Sequence, residues 1–350
     1  MQRKNVFTLL TVLLVSAVVL TLATPASATF PGKNGRIAFI VQPDIFTMYP
    51  NGSDVKQLTS FGSNEATFGL AWSPNGSQLV FARARSDFST SQIWIMSADG
   101  SNQRQLFNDN SLFDDEPNFS PDGSQVIFQR CKLPATQPCA IYRVEADGSG
   151  LIALTHYSEN TDELDLTPAY SPDGKKIAFF GAYREGVLSA TYVMNADGSN
   201  VRQVTAAVLE AFIPDYSPDG PRIAFSTRAF YPPNTINPQL WVINTNGTGL
   251  TQLTSPGASA ADVFVSWSPQ GNAIVFERDN ATGAAIYIKY VDGTAPGEKL
   301  IFQSTITSRT TRKMQSVSRT HGTVRNAAIK RSLSQIESGG SNPRWGPAPQ

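Results

Sequence analysis

Acidic side chains recur at one kind of place in this 350-residue chain. Glu65; Asp114, Asp115 and Glu116; Asp162, Glu163 and Asp165; Glu210; and Asp262 each stand a few residues before a short phrase that begins with an aromatic residue and Ser-Pro. Gathered at one site, such carboxylates could focus an electric field on a cation or a basic peptide. Spaced oxygens also suit Ca²⁺, although no loop here matches a known calcium pattern, so Ca²⁺ is a weak fit and no other cofactor is expected. Catalytic chemistry has less to work with. His156 and His321 are the only two histidines, and there is no Gly-x-Ser-x-Gly elbow, no His/Cys metal spacing and no glycine-rich phosphate loop. No catalytic residue and no metal ligand is therefore assigned. The two cysteines, Cys131 and Cys139, flank an irregular stretch between two strand-like runs, and a disulfide stapling that hairpin is expected in an oxidising compartment.

The elements that must position these groups come from a repeat. The phrase reads Trp72-Ser-Pro-Asn-Gly-Ser-Gln-Leu-Val-Phe81 and returns at Phe119–Phe128, Tyr170–Phe179, Tyr216–Phe225 and Trp267–Phe276, with spacings of 47, 51, 46 and 51 residues. That is the length of one four-stranded propeller blade. Ser-Pro-Asp-Gly suits a tight turn: Pro presets φ, Asp can bond its own backbone, and Gly takes a conformation closed to other residues. A second phrase follows each first one, an apolar run and a turn ending in Gly. Ile93-Trp-Ile-Met-Ser-Ala-Asp-Gly100 is one copy, and its relatives start at Ile45, Ile141, Thr191, Leu240 and Ile286. Asp-Gly between strands is a strong hairpin signal, and runs apolar on both faces suit sheets sandwiched between neighbours. The aromatic before Ser-Pro is expected to wedge between adjacent blades.

The two ends carry half-phrases. Gly35-Arg-Ile-Ala-Phe39 is the second half without its aromatic, and Pro343-Arg-Trp-Gly-Pro347 is the missing first half with Gly for Ser. Joined, they make one more blade, with the C-terminus as its innermost strand. The expected fold is all-β: a six-bladed β-propeller of four-stranded antiparallel blades over 29–350, closed by the C-terminal inner strand joining the N-terminal blade. Closure removes the open seam of a linear array.

The aromatic-Ser-Pro-Asp-Gly, Ile-Ala-Phe and Ala-Asp-Gly-Ser phrases resemble the TolB-type, WD-like propeller repeats of bacterial envelope proteins. The resemblance covers about residues 32–302 and the last ten. It implies a stand-alone propeller without the N-terminal domain that TolB carries, and a protein- or peptide-binding role. Similar propellers also form the fold of oligogalacturonate lyases, so the alternative is a carbohydrate-binding or polysaccharide-cleaving propeller. Phe61, Phe68, Phe113, Phe230 and Tyr231 are the aromatics that would serve it.

Residues 1–28 read as a secretory signal peptide: Arg3 and Lys4, an apolar run from Val6 to Leu22, then Ala26-Ser27-Ala28 as the cleavage site. Secretion to the periplasm or beyond follows, with no transmembrane span after cleavage. Overall charge balances at 28 basic and 28 acidic residues, which predicts no nucleic-acid partner. The balance is a sum of opposites. A basic insertion at 303–340 carries a net +6, which leaves the rest of the chain after the signal peptide at −8. Propeller geometry would bring Glu65, Asp115, Glu116, Asp165, Glu210 and Asp262 round one channel mouth as an acidic funnel for a basic partner. The expected protein is thus a non-catalytic, monomeric scaffold for an envelope or extracellular protein or peptide.

Overall fold

The computed structural model describes residues 31–109, 112–132, 138–156, 163–182, 184, 189–227, 238–257, 259–280, 283–293, 297–303 and 342–348. Within them the chain is strand, turn and one short 3-10 turn at Ala207–Leu209. The expected signal peptide lies outside the described residues. So does the basic insertion beyond Gln303.

Each repeat folds as a four-stranded antiparallel meander. The first complete one is β4 (Glu65–Trp72), β5 (Gln78–Arg85), β6 (Ser91–Ser97) and β7 (Arg104–Gln105). The next is β8 (Phe113–Phe119), β9 (Gln125–Cys131), β10 (Cys139–Glu145) and β11 (Ile152–Ala153). Then come β12 (Leu164–Tyr170), β13 (Lys176–Ala182), β14 (Ser189–Asn195) and β15 (Arg202–Gln203). Another holds β16 (Phe212–Tyr216), β17 (Arg222–Ser226), β18 (Leu240–Asn244) and β19 (Thr251–Gln252). The last is β20 (Ala261–Trp267), β21 (Ala273–Asn280), β22 (Gly283–Tyr290) and β23 (Glu298–Gln303). At the start of the chain, β1 (Asn34–Val41), β2 (Asp44–Met48) and β3 (Lys56–Gln57) form three strands of a sheet whose fourth is the C-terminal β24 (Arg344–Pro347), paired antiparallel to β1.

The first strands of the meanders pack side by side: β4 on β8, β8 on β12, β12 on β16, β16 on β20, β20 on β24, and β24 back on β4. The aromatics before Ser-Pro are buried between sheets, with Trp72, Phe119, Tyr170, Tyr216, Trp267 and Trp345 all under one-tenth exposed. The turns hold themselves. Ser73, Ser120, Ser171, Ser217 and Ser268 each donate a backbone N–H to the carbonyl five residues on, at 2.8–2.9 Å. Asn75, Asp122 and Asp173 accept from the hydroxyl of the Ser two residues before them. The Asp-Gly turns behave likewise, with Asp99, Asp147 and Asp197 accepting from both the backbone N–H and the hydroxyl of the following Ser. Gly52, at φ 85°, lies against the Ile301 carbonyl of β23, where an added Cβ would come within 2.5 Å. The first and last meanders therefore touch at their outer corners as well as through β24.

The fourth strands are latched by threonines. Thr59, Thr155, Thr205 and Thr254 accept, through Oγ1, the backbone N–H of Ile45, Ile141, Thr191 and Leu240 at 2.9–3.1 Å. The recurring Leu/Val-Thr that ends the second phrase is thus a structural fastening.

Candidate functional site

Carboxylates and arginines alternate across the first two strands of the meanders. Glu65 opens β4, and Asp114, Asp165 and Asp262 are the second residues of β8, β12 and β20. Glu210 stands just before β16. The antiparallel neighbour strand sets an arginine opposite or near most of them. Arg130 grips Asp114 with Nε and Nη2 at 2.6 and 2.8 Å, and Arg278 grips Asp262 at the same two distances. Arg184 reaches Asp165 at 3.1–3.2 Å, and Arg83 reaches Glu65 at 2.5 Å. Each guanidinium lies over aromatic rings of its own meander or of the connection leading into it: Arg83 over Phe61 and Trp94, Arg130 over Phe107, Phe128 and Tyr142, Arg184 over Phe179 and Tyr192, Arg278 over Phe276 and Tyr287. A planar, weakly hydrated cation suits both partners at once.

Most of the carboxylates expected to form the acidic funnel are removed from water. Asp114, Asp115, Glu116, Asp165, Glu210 and Asp262 are all buried, and Glu65 is partly so. For Asp114, Asp165 and Asp262 the cost of burial is offset by an arginine that bonds the carboxylate through two nitrogens. Desolvation still pushes the Asp114 carboxyl up to about 6, against the pull of Arg130. It raises Asp262 in the same way, opposed by its bonds to Arg278 and Thr254.

Further along the first strands, the residue three before each wedge aromatic takes a left-handed conformation: Gly69, Glu116, Thr167, Ile213, Phe264 and Asn342, with φ between 34° and 55°. In β4, β8, β12, β16 and β20 the ladder slips there as a bulge, which re-aims the side chains. At Gly69 the absence of a side chain matters, because a Cβ would come within 2.6 Å of the Glu116 Cα. Glu116 is buried, and desolvation raises its pKa while Arg344, 3.6 Å away on β24, and Asn342 counter it. Around it, Phe68, Phe113, Leu166, Phe212, Ile213, Val263 and Phe264 form part of one buried apolar cluster drawn from five first strands. At this level the first strands contribute apolar side chains and the buried Glu116–Arg344 pair.

The arginines went unrecognised in the sequence, although a signal is present. Arg83, Arg130 and Arg278 each follow the phrase-ending Phe by two residues. Of the aromatics suggested for sugar binding, Phe68 and Phe113 are buried, and Phe61 packs against Phe81 and Arg83. Phe230 and Tyr231 lie outside the described residues, as do Asp162 and His321. Cys131 and Cys139 are cross-strand partners of β9 and β10 joined by a 2.00 Å S–S bond. His156 is exposed. Among the described residues no group of three or more His, Cys, Asp or Glu side chains is placed to hold a metal ion. No helix among them is long and apolar enough to cross a membrane.

The first strands start at one end of the molecule, and two kinds of connection leave the described strands at that end. Those between second and third strands run from two residues (281–282) to thirteen (227–239), and those from each fourth strand to the next first strand end with 304–343. Among the described residues, the other end carries the Ser-Pro turns and the Asp-Gly or Asn-Gly turns, which are joined by hydrogen bonds such as Ala98 N–H to the Ser77 carbonyl at 2.8 Å.

Comparison with known proteins agrees with this architecture. A family model described as the TolB beta propeller domain matches residues 157–338. The chain is similar to the crystal structure of TolB from Acinetobacter baumannii, with a TM-score of 0.64 at 19% identity over 89% of this chain and 67% of that one. It is similar to a putative TolB from Agrobacterium tumefaciens, with a TM-score of 0.57 at 21% identity over 76% of this chain and 88% of the other. An oligogalacturonate lyase from Vibrio parahaemolyticus shares the fold at a TM-score of 0.51 and 15% identity, over 74% of this chain and 76% of that one. With just over half of its length matched by the family model, the chain belongs to the TolB β-propeller family.

Proposed function

We propose that this protein is an exported, non-catalytic scaffold that binds a protein or peptide at the end where its first strands begin. The observation that carries the reading is the asymmetry of its connections. Loop length varies most at that one end, where the connections between second and third strands run from two to thirteen residues, while the turns at the other end span five to seven. In repeat folds the face that collects variable loops is commonly the binding face, and a rigid scaffold beneath it limits the entropy lost on binding. The arginine–carboxylate pairs supply that rigidity.

The partner we infer is basic. Glu65, Asp114, Asp115, Glu116, Asp165, Glu210, Asp262 and Glu277 outnumber Arg83, Arg130, Arg184, Arg278 and Arg344 around this end and the axis. The field at the mouth is therefore acidic even though its charges are largely paired. We also read the meanders as six blades of one propeller closed through β24. The cyclic packing of the first strands and the contact of Gly52 with Ile301 support this. Secretion to the periplasm or beyond rests on the signal-peptide pattern of residues 1–28.

A titration of the mature chain with a Lys/Arg-rich peptide, followed by calorimetry at several salt concentrations, tests the reading. Binding that weakens with salt and falls on Glu65→Gln/Glu210→Gln substitution is expected. Equal binding of a neutral peptide of the same length, or release of unsaturated sugar from polygalacturonate, would overturn it.

A further inference from the structure

The outer edges of the sheets are not alike. β3, β7, β11, β15 and β19 are two residues long. Short edge strands of this kind are a standard protection against unwanted pairing. Four of them carry a second protection. Gln57, Gln105, Gln203 and Gln252 each fold back so that Nε2 donates to the carbonyl two residues further along, at 2.6–2.8 Å. That side chain occupies an acceptor an incoming strand would need.

β23 departs on both counts. It runs for six residues, and the position opposite Tyr287, equivalent to Gln57 opposite Phe46, is Leu300. Leucine has no donor to fold back, and Leu300 is 44% exposed. At the Glu298 end of the same strand lies a groove of about 370 Å³ lined by Tyr49, Pro50, Asn51, Ile288, Tyr290 and Lys299. Tyr49 is 48% exposed, and its ring is held from one side by the Arg36 guanidinium at 4.5 Å. Among the described residues β23 is thus an edge without the glutamine guard, bulged at Ile301, and it ends in an aromatic-walled groove with a cation at its rim, an arrangement that strand addition can use. Main-chain bonds supply affinity, and a pocket selects a side chain.

We propose that β23 accepts an extended peptide from another protein as an added antiparallel strand. Antiparallel addition puts the C-terminal end of the peptide at the Glu298 end of β23. An apolar or aromatic side chain of the peptide then sits between Tyr49 and Tyr290, and a carboxylate answers Lys299. A second copy of this chain fits less well. Two β23 strands paired about Leu300 and Ile301 would set Lys299 against Phe302 and leave its charge without a partner. This surface is on the outer rim, away from the mouth described above, and does not depend on that reading.

The test uses the full mature chain and a synthetic hexapeptide, acetyl-Val-Thr-Val-Thr-Val-Phe, with either a free or an amidated C-terminus. The free acid is expected to bind and to slow hydrogen exchange across 298–303. Amidation and Lys299→Glu are each expected to weaken binding several-fold, while Lys299→Arg retains it. Leu300→Gln, which restores the guard, is expected to weaken it about tenfold, a difference of about 1.4 kcal/mol, with the melting temperature unchanged. The proposal fails if the free acid does not bind, or binds without slowing exchange in 298–303. Equal binding of the two peptides or of the Leu300→Gln variant would also sink it. Concentration-dependent dimerisation that Leu300→Gln abolishes would overturn it in favour of a second copy.

Discussion

Gly346 lies flat against the indole of Trp72: a Cβ built on it would sit 2.6 Å from the ring carbon Cγ. The equivalent position in the other repeats holds Ser73, Ser120, Ser171, Ser217 and Ser268. The single departure from the Ser-Pro phrase therefore has a packing cause. It occurs where the C-terminal strand meets β4.

Restoring the repeat at this point should harm the protein. Gly346→Ser is expected to destabilise it by about 1–3 kcal/mol, the usual range for overpacking a well-filled core. Chemical denaturation would measure this. Unchanged stability would mean that the Trp72 indole moves aside at no cost.

The Asp114–Arg130 pair makes a prediction by its burial. Arg130→Met alone leaves a buried carboxylate without its bidentate partner and is expected to cost about 3–5 kcal/mol. Asp114→Leu together with Arg130→Met removes both charges and is expected to recover most of that loss. If the double variant is as unstable as the single one, the pair contributes specific geometry beyond charge compensation, and its aromatic surroundings would be the place to look.

The same carboxylate sets a pH dependence. Its pKa in the folded state is about 6, above the unfolded value of 3.8, because burial disfavours the charge. Between those values the folded chain binds more protons than the unfolded one, so this group's contribution to stability falls as pH rises through that window. Asp114→Asn is expected to flatten the fall. Denaturation midpoints of both proteins from pH 4 to 7 would show it, and parallel curves would exclude Asp114 as the source.

Reduction of Cys131–Cys139 releases a link across a sequence separation of 8. Loop-closure entropy for so short a span predicts a loss of about 2–3 kcal/mol. Melting in the presence and absence of a reductant, with Cys131→Ser/Cys139→Ser as the control, measures it. The double variant should be insensitive to reductant.

The strand content and the four-strand antiparallel unit were legible because their causes are local. Ser-Pro-Asp-Gly and Ala-Asp-Gly encode turns within four or five residues, and Asp99 accepts from Ser101 whatever the rest of the chain does. The resemblance to the TolB repeat rests on the same local phrases. The candidate carboxylates were legible as positions, but their state was not. Whether Asp114 meets water or Arg130 depends on the register of β8 against β9, which pairs two residues that stand 16 apart in sequence. The approach of Glu116 to Arg344 depends on the C-terminal strand lying beside β4 and on Gly69 leaving room. The exposure of Leu300 depends on which strand ends its sheet. Sequence determined where this chain turns and where it carries charge. Only the packing of sheet against sheet decided which of those charges were removed from water, because burial is a property of all the neighbouring elements together.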